Sequence, residues 1–268
     1  MLYKPTVVLA FLNELNKRPK KSLSQNFLVD GNIVKKITSF CELKEGEIIL
    51  EIGPGLGVLT ESFLKQKAKV IAIEKDIALA KALKRLDCQL YIGDFFDINL
   101  KEILPEEKIK VASNLPYGVA TMIICSLLTM GEKFSKMIFM VQKEVAKRIC
   151  ASPNSKEYGF LTLFITFFAT PKYLCDVSCN CFFPKPKVTS TIISLEPKIP
   201  PFKEGYEEFF LFVKQLFSYR RKMIASSLRK IYGQEKTKIA FSKVNIDPKL
   251  RAENLSLEDF IRLFRTFS

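Results

Sequence analysis

Four consecutive residues, Asn114-Leu115-Pro116-Tyr117, carry the groups needed to act on an aromatic amine. The exocyclic amine of a purine is a poor nucleophile because its lone pair is delocalised into the ring. An Asn side-chain oxygen and a backbone carbonyl can each accept one of its N–H bonds, and two such bonds turn the lone pair toward an electrophile. Pro116 fixes its own φ and holds Leu115 extended, which aims the Leu115 carbonyl inward. Tyr117 offers a flat face for a base, worth roughly 1–3 kcal/mol. Alone, the string is no more than a turn with an aromatic cap, so its meaning depends on the other polar residues. Glycines stand at 53, 55 and 57 in "EIGPGLG"; Glu74, 21 residues after Gly53, closes "VIAIE"; Asp94 lies in "YIGDFF". Ionised carboxylates only accept hydrogen bonds, so Glu74 suits a pair of ribose hydroxyls and Asp94 the exocyclic amine of an adenine. The chain contains no histidine, which excludes Ser-His and Cys-His nucleophile pairs and His general bases.

The elements that must position these residues begin at residue 48. The apolar runs "EIILEIG", "AKVIAIEKD", "CQLYIGD", "IKVASN" and "KMIFMVQKE" are interspersed with the helical patterns "VLTESFLKQK" and "IALAKALKRL". Strands alternating with helices predict βαβ units and a mostly parallel sheet, in which ligands bind beyond the C-terminal strand ends. Glu74, Asp94 and Asn114 end successive runs. The glycine loop is not a dinucleotide fingerprint, because position 58 is Val58. A glycine loop followed by two strand-end acids in order reads as a nucleoside site, and the ligand it suits is S-adenosylmethionine. The sulfonium of that cofactor is already reactive, so alignment supplies much of the rate and neither a metal nor a strong base is required.

Pro197, Pro200 and Pro201 mark a linker. The expected organisation is α/β: a mostly parallel βαβ domain over 1–199, and a small all-helical C-terminal domain over 200–268 whose last helix starts at Ser256 of "SLED" as N-cap. The chain carries 42 Lys+Arg against 28 Asp+Glu, net +14 over 268 residues, which points to a polyanionic partner, nucleic acid or an anionic membrane surface. No run reaches the ~18 apolar residues of a membrane span; "GFLTLFITFFAT" reads as a buried element. Seven scattered cysteines and no signal peptide predict a reduced, cytoplasmic protein. The C-x3-C-x-C spacing of Cys175, Cys179 and Cys181 matches no common zinc motif, so no metal is expected.

The segments "KKSLSQNFLVD", "EIGPGLGVLT", "VIAIEKD", "GDFF", "NLPY", "QKEVAKRI", "YGFLTL", "FFPKPKVTST" and "FSYRRKMIASSL" occur in the order seen in the ribosomal RNA adenine N6,N6-dimethyltransferases, and the chain resembles the small-subunit branch of that family from about residue 15 to its end. The resemblance implies a Rossmann-like S-adenosylmethionine-dependent methyltransferase domain over 1–199, and transfer of two methyls to each of two adjacent adenines in a hairpin near the 3′ end of small-subunit rRNA, within an immature small subunit. It also implies a role in late subunit assembly. It places Gln25, Asn26 and Leu28 in the cofactor pocket with Gly53, Gly55, Glu74, Asp94 and Asn114, the N-terminal segment 1–30 completing that pocket and touching RNA. Asn114 and the Leu115 carbonyl would hold the target amine, with Tyr117 and Phe182 sandwiching the base. "CFFPKP" carries a second phenylalanine, Phe183, so which ring stacks stays open.

Basic residues cluster at Lys17, Arg18, Lys20 and Lys21, and again at Arg220, Arg221 and Lys222. Phosphate contacts of this kind give affinity and position. An adenine amine inside a duplex is out of reach, so an unpaired or flipped base is the expected target. Nothing requires more than a monomer. Two alternatives remain: the Erm enzymes of large-subunit rRNA, which more often carry isoleucine at the place of Leu115, and a non-catalytic assembly factor on the same fold.

Overall fold

The computed structural model describes residues 3–14 and 25–267. The strands are β1 (Phe27–Leu28), β2 (Ile48–Ile52), β3 (Lys69–Glu74), β4 (Gln89–Ile92), β5 (Ile109–Asn114), β6 (Phe134–Gln142), β7 (Ala169–Val177), β8 (Phe182–Phe183) and β9 (Ser190–Pro197). The helices are α1 (Pro5–Glu14), α2 (Gly31–Cys41), α3 (Val58–Lys65), α4 (Ile77–Leu83), α5 (Leu100–Ile103), α6 (Ala120–Thr129), α7 (Lys143–Ile149), α8 (Phe160–Phe168), α9 (Tyr206–Ser218), α10 (Ile224–Tyr232), α11 (Gln234–Lys243) and α12 (Leu257–Phe264).

The first compact unit comprises 1–146 and 170–198. Its sheet runs β4-β3-β2-β5-β6-β9-β7. Pairings among β2 to β6 are parallel, as the βαβ rhythm predicts, while β9 joins β6 antiparallel. Strands covered on both faces read as continuous apolar runs, and Ile49, Leu50, Val111, Ala112, Met137 and Phe139 are fully or almost fully buried. The sheet opens where its order reverses. β2 and β5 pair only at Ile49–Lys110 and Leu50–Val111. Beyond that the Ile52 N–H donates to the buried Ser113 Oγ at 2.7 Å instead of to a strand carbonyl, and on its other side the Gly53 N–H donates to the Ile73 carbonyl at 2.8 Å. A side-chain acceptor thus satisfies a buried donor while the two backbones part. That is the switch point at which open α/β sheets bind ligands. A separate two-stranded ribbon pairs Phe27 with Phe183 and Leu28 with Phe182.

The second unit comprises 147–169 and 199–268. The proline linker near 200 is therefore one of three crossings, and residues 147–169 group with the C-terminal helices. The reason is aromatic. Phe160, Phe164, Phe167 and Phe168 recur along α8 and meet Phe209 and Phe210 of α9, with centroids 4.8 Å apart for Phe164–Phe210 and 5.6 Å for Phe167–Phe209. Such pairs add about 0.5–1.5 kcal/mol each beyond the area they bury. The buried Tyr158 hydroxyl donates to the Leu255 carbonyl at 2.7 Å. Ser256 caps α12 as the sequence predicts, accepting from the Asp259 N–H at 3.1 Å, while Asp259 Oδ2 accepts from the Ser256 N–H at 2.9 Å. Among the described residues no helix is long and apolar enough to cross a membrane.

Candidate active site

The ends of β2, β3, β4 and β5, together with β1, enclose a cavity of about 240 Å³. Gln25, Asn26, Leu28, Gly53, Gly55, Glu74, Asp94 and Asn114 all line it, and so do Leu115 and Tyr117. Distant segments of the chain therefore converge on one opening in the sheet.

One wall is acidic. The glycine loop runs through three positive-φ residues, Gly53, Gly55 and Gly57. At Gly57 (φ +82°) an added Cβ would meet Leu86 at 2.7 Å and Leu83 at 2.8 Å, so only glycine lets the loop settle on the end of α4. The Gly55 N–H donates to Glu74 Oε2 at 2.9 Å and the Asp76 N–H to Oε1 at 2.8 Å. Each Glu74 oxygen thus holds one backbone donor and keeps lone-pair capacity for a ligand hydroxyl. Burial raises the Glu74 carboxyl above the usual range despite those two N–H bonds. Asp94 Oδ1 accepts from the Phe96 N–H at 3.2 Å. Its other oxygen pairs with Lys75, which holds the carboxyl below its usual range.

A third acid was not singled out from the sequence. Glu51 lines the same cavity at 2 % exposure and accepts from Thr60 Oγ1 at 2.6 Å. Burial, with the nearby Glu74 adding to it, pushes its carboxyl up to about 8. The available signal was a lone acid inside the apolar run "IILEI".

The opposite wall is neutral. Asn114 Nδ2 donates to the Asn26 carbonyl at 3.1 Å. That bond takes one of the two amide N–H donors and orients the group, and the amide oxygen remains an acceptor for a ligand. The buried Leu115 is fixed at the end of β5 by its N–H, which donates to the Met140 carbonyl at 3.2 Å. Tyr117 is half-buried, its hydroxyl shares a 2.6 Å hydrogen bond with Ser190 Oγ, and burial raises its phenol above the usual range. Phe182, the ring expected against the base, is 4 % exposed and packs in the hydrophobic cluster with Leu28, Val177 and Ile192. Phe183 packs against the same cluster but is only partly buried. In this conformation Phe183 therefore has the more accessible ring.

Residues 16–268 match the family model described as ribosomal RNA adenine dimethylase. The chain belongs to the ribosomal RNA adenine dimethylase family. Among its relatives, the ribosomal RNA small subunit methyltransferase A of Protochlamydia amoebophila is 41 % identical over 273 residues, covering 98 % of this chain and 96 % of that one. The protein of the same description from Chlamydia felis is 39 % identical over 270 residues, covering 98 % and 95 %. A dimethyladenosine transferase from Plasmodium falciparum superposes with a TM-score of 0.76 at 26 % identity, over 90 % of this chain and 97 % of that one. The 23S rRNA methyltransferase ErmE superposes with a TM-score of 0.68 at 25 % identity, over 90 % and 99 %. Membership makes this chain an adenine dimethyltransferase of Rossmann-like fold, and S-adenosylmethionine is the methyl donor that such a family implies.

The basic residues divide. Lys17, Arg18, Lys20 and Lys21 lie outside the described residues. Arg221 and Lys222 are exposed. Arg220 is not available in the same way: its Nε donates to Glu253 Oε2 and its Nη2 to the Lys156 carbonyl, both at 2.7 Å, so its guanidinium holds the second unit together. The cysteines are free thiols; Cys181 Sγ donates to Asp30 Oδ2 at 3.4 Å. Among the described residues, no group of three or more His, Cys, Asp or Glu is placed to hold a metal ion.

Proposed function

We propose that this protein uses S-adenosylmethionine to dimethylate the N6 amines of two adjacent adenines in the 3′-terminal hairpin of small-subunit (16S) rRNA. It acts as a cytoplasmic monomer on an immature small ribosomal subunit, late in assembly. The observation that carries the reading is the bond from Asn114 Nδ2 to the Asn26 carbonyl, which turns an amide acceptor toward a cavity lined on its other side by nucleoside-binding acids.

The residues present suit the cofactor. Gly53 and Gly55 line the cavity at φ +66° and +61°, a conformation that glycine adopts freely and that brings bare backbone up to a ligand. Glu74 accepts from the ribose hydroxyls and Asp94 from the adenine amine, with Gln25, Asn26 and Leu28 closing the pocket over them. When bound, S-adenosylmethionine supplies an electrophilic methyl group on a sulfonium centre.

The chain's own residues do the rest. Asn114 Oδ1 and the Leu115 carbonyl accept the two N6 hydrogens of the target adenine and set its lone pair in line. Tyr117 stacks on one face of the base and the Phe182–Phe183 segment covers the other. Orientation of this kind replaces an improbable encounter with a fixed geometry. Arg221, Lys222 and the basic segment 17–21 hold phosphates.

The direct test is methyl transfer from labelled S-adenosylmethionine to immature small subunits and, separately, to large-subunit RNA. Label recovered as N6,N6-dimethyladenine from the small subunit is the expected result. Label only in large-subunit RNA would move the protein to the Erm branch, and binding to small subunits without label would make it an assembly factor.

A further inference from the structure

The Tyr117 ring can serve as a wall for a base only if something fixes it, and the backbone of "NLPY" alone does not. Its hydroxyl is directed at Ser190 Oγ, 2.6 Å away, and Ser190 is fully buried. The phenol oxygen is therefore engaged by the protein's own interior.

Ser190 is itself held on both sides. The preceding carbonyl, of Thr189, accepts from the Lys143 N–H at 2.9 Å. The following hydroxyl, of Thr191, donates to Asp176 Oδ1 at 2.8 Å. Asp176 in turn pairs with Lys143 Nζ at 2.5 Å and accepts from the Tyr173 hydroxyl. These donors hold the Asp176 carboxyl down at about 2, so the clamp stays charged through the physiological range.

The position of Ser190 in the chain gives the bond its meaning. Ser190 begins β9, with six residues between it and Phe183 at the end of β8. β8 pairs with β1, and Asn26, which accepts from Asn114, immediately precedes β1. The contacts form a closed circuit: Asn114 to Asn26, along β1 to β8, through residues 184–189 to Ser190, and from Ser190 back to Tyr117. Two side-chain hydrogen bonds close it, one at each end of "NLPY".

We propose that Ser190 is a positioning residue for methyl transfer, pinning Tyr117 to the strand that follows the Phe182–Phe183 segment and so fixing the spacing between the two aromatic walls of the target-base pocket. This rests on the function proposed above. The bond serves geometry and not cofactor binding: the hydrogen bonds that hold Glu74 and Asp94 come from Gly55, Asp76, Phe96 and Lys75.

The test compares Ser190→Ala, Ser190→Thr, Tyr117→Phe and the double variant Ser190→Ala/Tyr117→Phe. Single-turnover methyl transfer on immature small subunits is expected to slow by about 3- to 10-fold in Ser190→Ala, the loss of roughly one hydrogen bond. The affinity for S-adenosylmethionine is expected to stay unchanged. Tyr117→Phe should match that loss, the double variant should be no slower than either single one, and Ser190→Thr should restore the rate. Losses that multiply in the double variant, or cofactor affinity that falls in step with the rate, would overturn the proposal. A second readout needs no substrate: in protein labelled with 3-fluorotyrosine, the fluorine resonance that Tyr117→Phe removes should be that of a fixed ring in the parent and of a reorienting ring in Ser190→Ala. An identical resonance in both would overturn the proposal even if wild-type protein failed to methylate small subunits, an outcome that would instead sink the function proposed above.

Discussion

The two walls of the cavity are built by different means. The cofactor wall uses acids, Glu51, Glu74 and Asp94, from three strands that follow one another in the chain. Their hydrogen-bond partners Thr60, Gly55, Asp76, Phe96 and Lys75 lie no more than 19 residues away. The target wall uses neutral groups, and its decisive bonds span the chain: 88 residues separate Asn114 from Asn26 and 73 separate Tyr117 from Ser190. Charge suits a wall that must hold a cationic, hydroxyl-rich cofactor, but burying it costs folding energy. A wall that must orient a neutral amine needs fixed acceptors, and amides and hydroxyls supply them at lower cost. On the proposed function, the acidic wall governs affinity and its pH dependence, and the neutral wall governs rate.

Glu51 puts the largest expected effect on the acidic side. Its carboxyl is raised from the ordinary 4.5 to about 8, so the folded chain keeps a proton that the unfolded chain has lost. Stability is full below the unfolded value, falls as pH rises through the window from 4.5 to about 8, and is flat above it, with a slope of at most ~1.4 kcal/mol per pH unit. Glu51→Gln removes the slope. Urea unfolding of both proteins across that window should show a gap in favour of the variant that widens with pH and then stops. Parallel curves would mean that Glu51 is ionised in the fold and that the acidic wall carries no such cost.

Glu74 comes next. Both its oxygens accept backbone N–H groups, so Glu74→Gln must set an amide NH2 against one of them. Calorimetry should show S-adenosylmethionine binding about 10- to 100-fold weaker, or roughly 1.4–2.7 kcal/mol. Unchanged affinity would take Glu74 out of the cofactor wall.

The smallest effect sharpens the boundary between the walls. Ser113→Ala leaves the Ile52 N–H buried without its acceptor, and the expected loss of stability is about 1–2 kcal/mol in urea unfolding. No loss would mean that β2 and β5 re-pair and that the opening does not depend on the serine.

This division also governs what could be read from the sequence. Strand-end acids and a glycine loop are local signals. Glu74, Asp94 and Asn114 each close an apolar run, and the structure brings them to one cavity. The parallel order of β2 to β6 follows from the same rhythm. What escaped depends on distant partners. Ser113 and Ser190 look like ordinary small residues until the strands beside them are known. Arg220 reads as a phosphate contact in "RRK" until Glu253 and the Lys156 carbonyl stand next to it. The aromatic run of α8 announces burial, but not that its partners are Phe209 and Phe210, some 45 residues on. Phe182 shows the same limit: its motif is legible, but its burial under the β1–β8 ribbon is not.

In the proposed function the Asn114 amide acts on the target amine rather than on the cofactor. Asn114→Ala should be assayed by single-turnover methyl transfer to immature small subunits, with S-adenosylmethionine affinity measured on the same protein. The account predicts a rate lower by about 10²- to 10³-fold with cofactor affinity changed by no more than about threefold. A rate that falls only as far as cofactor binding falls would contradict it.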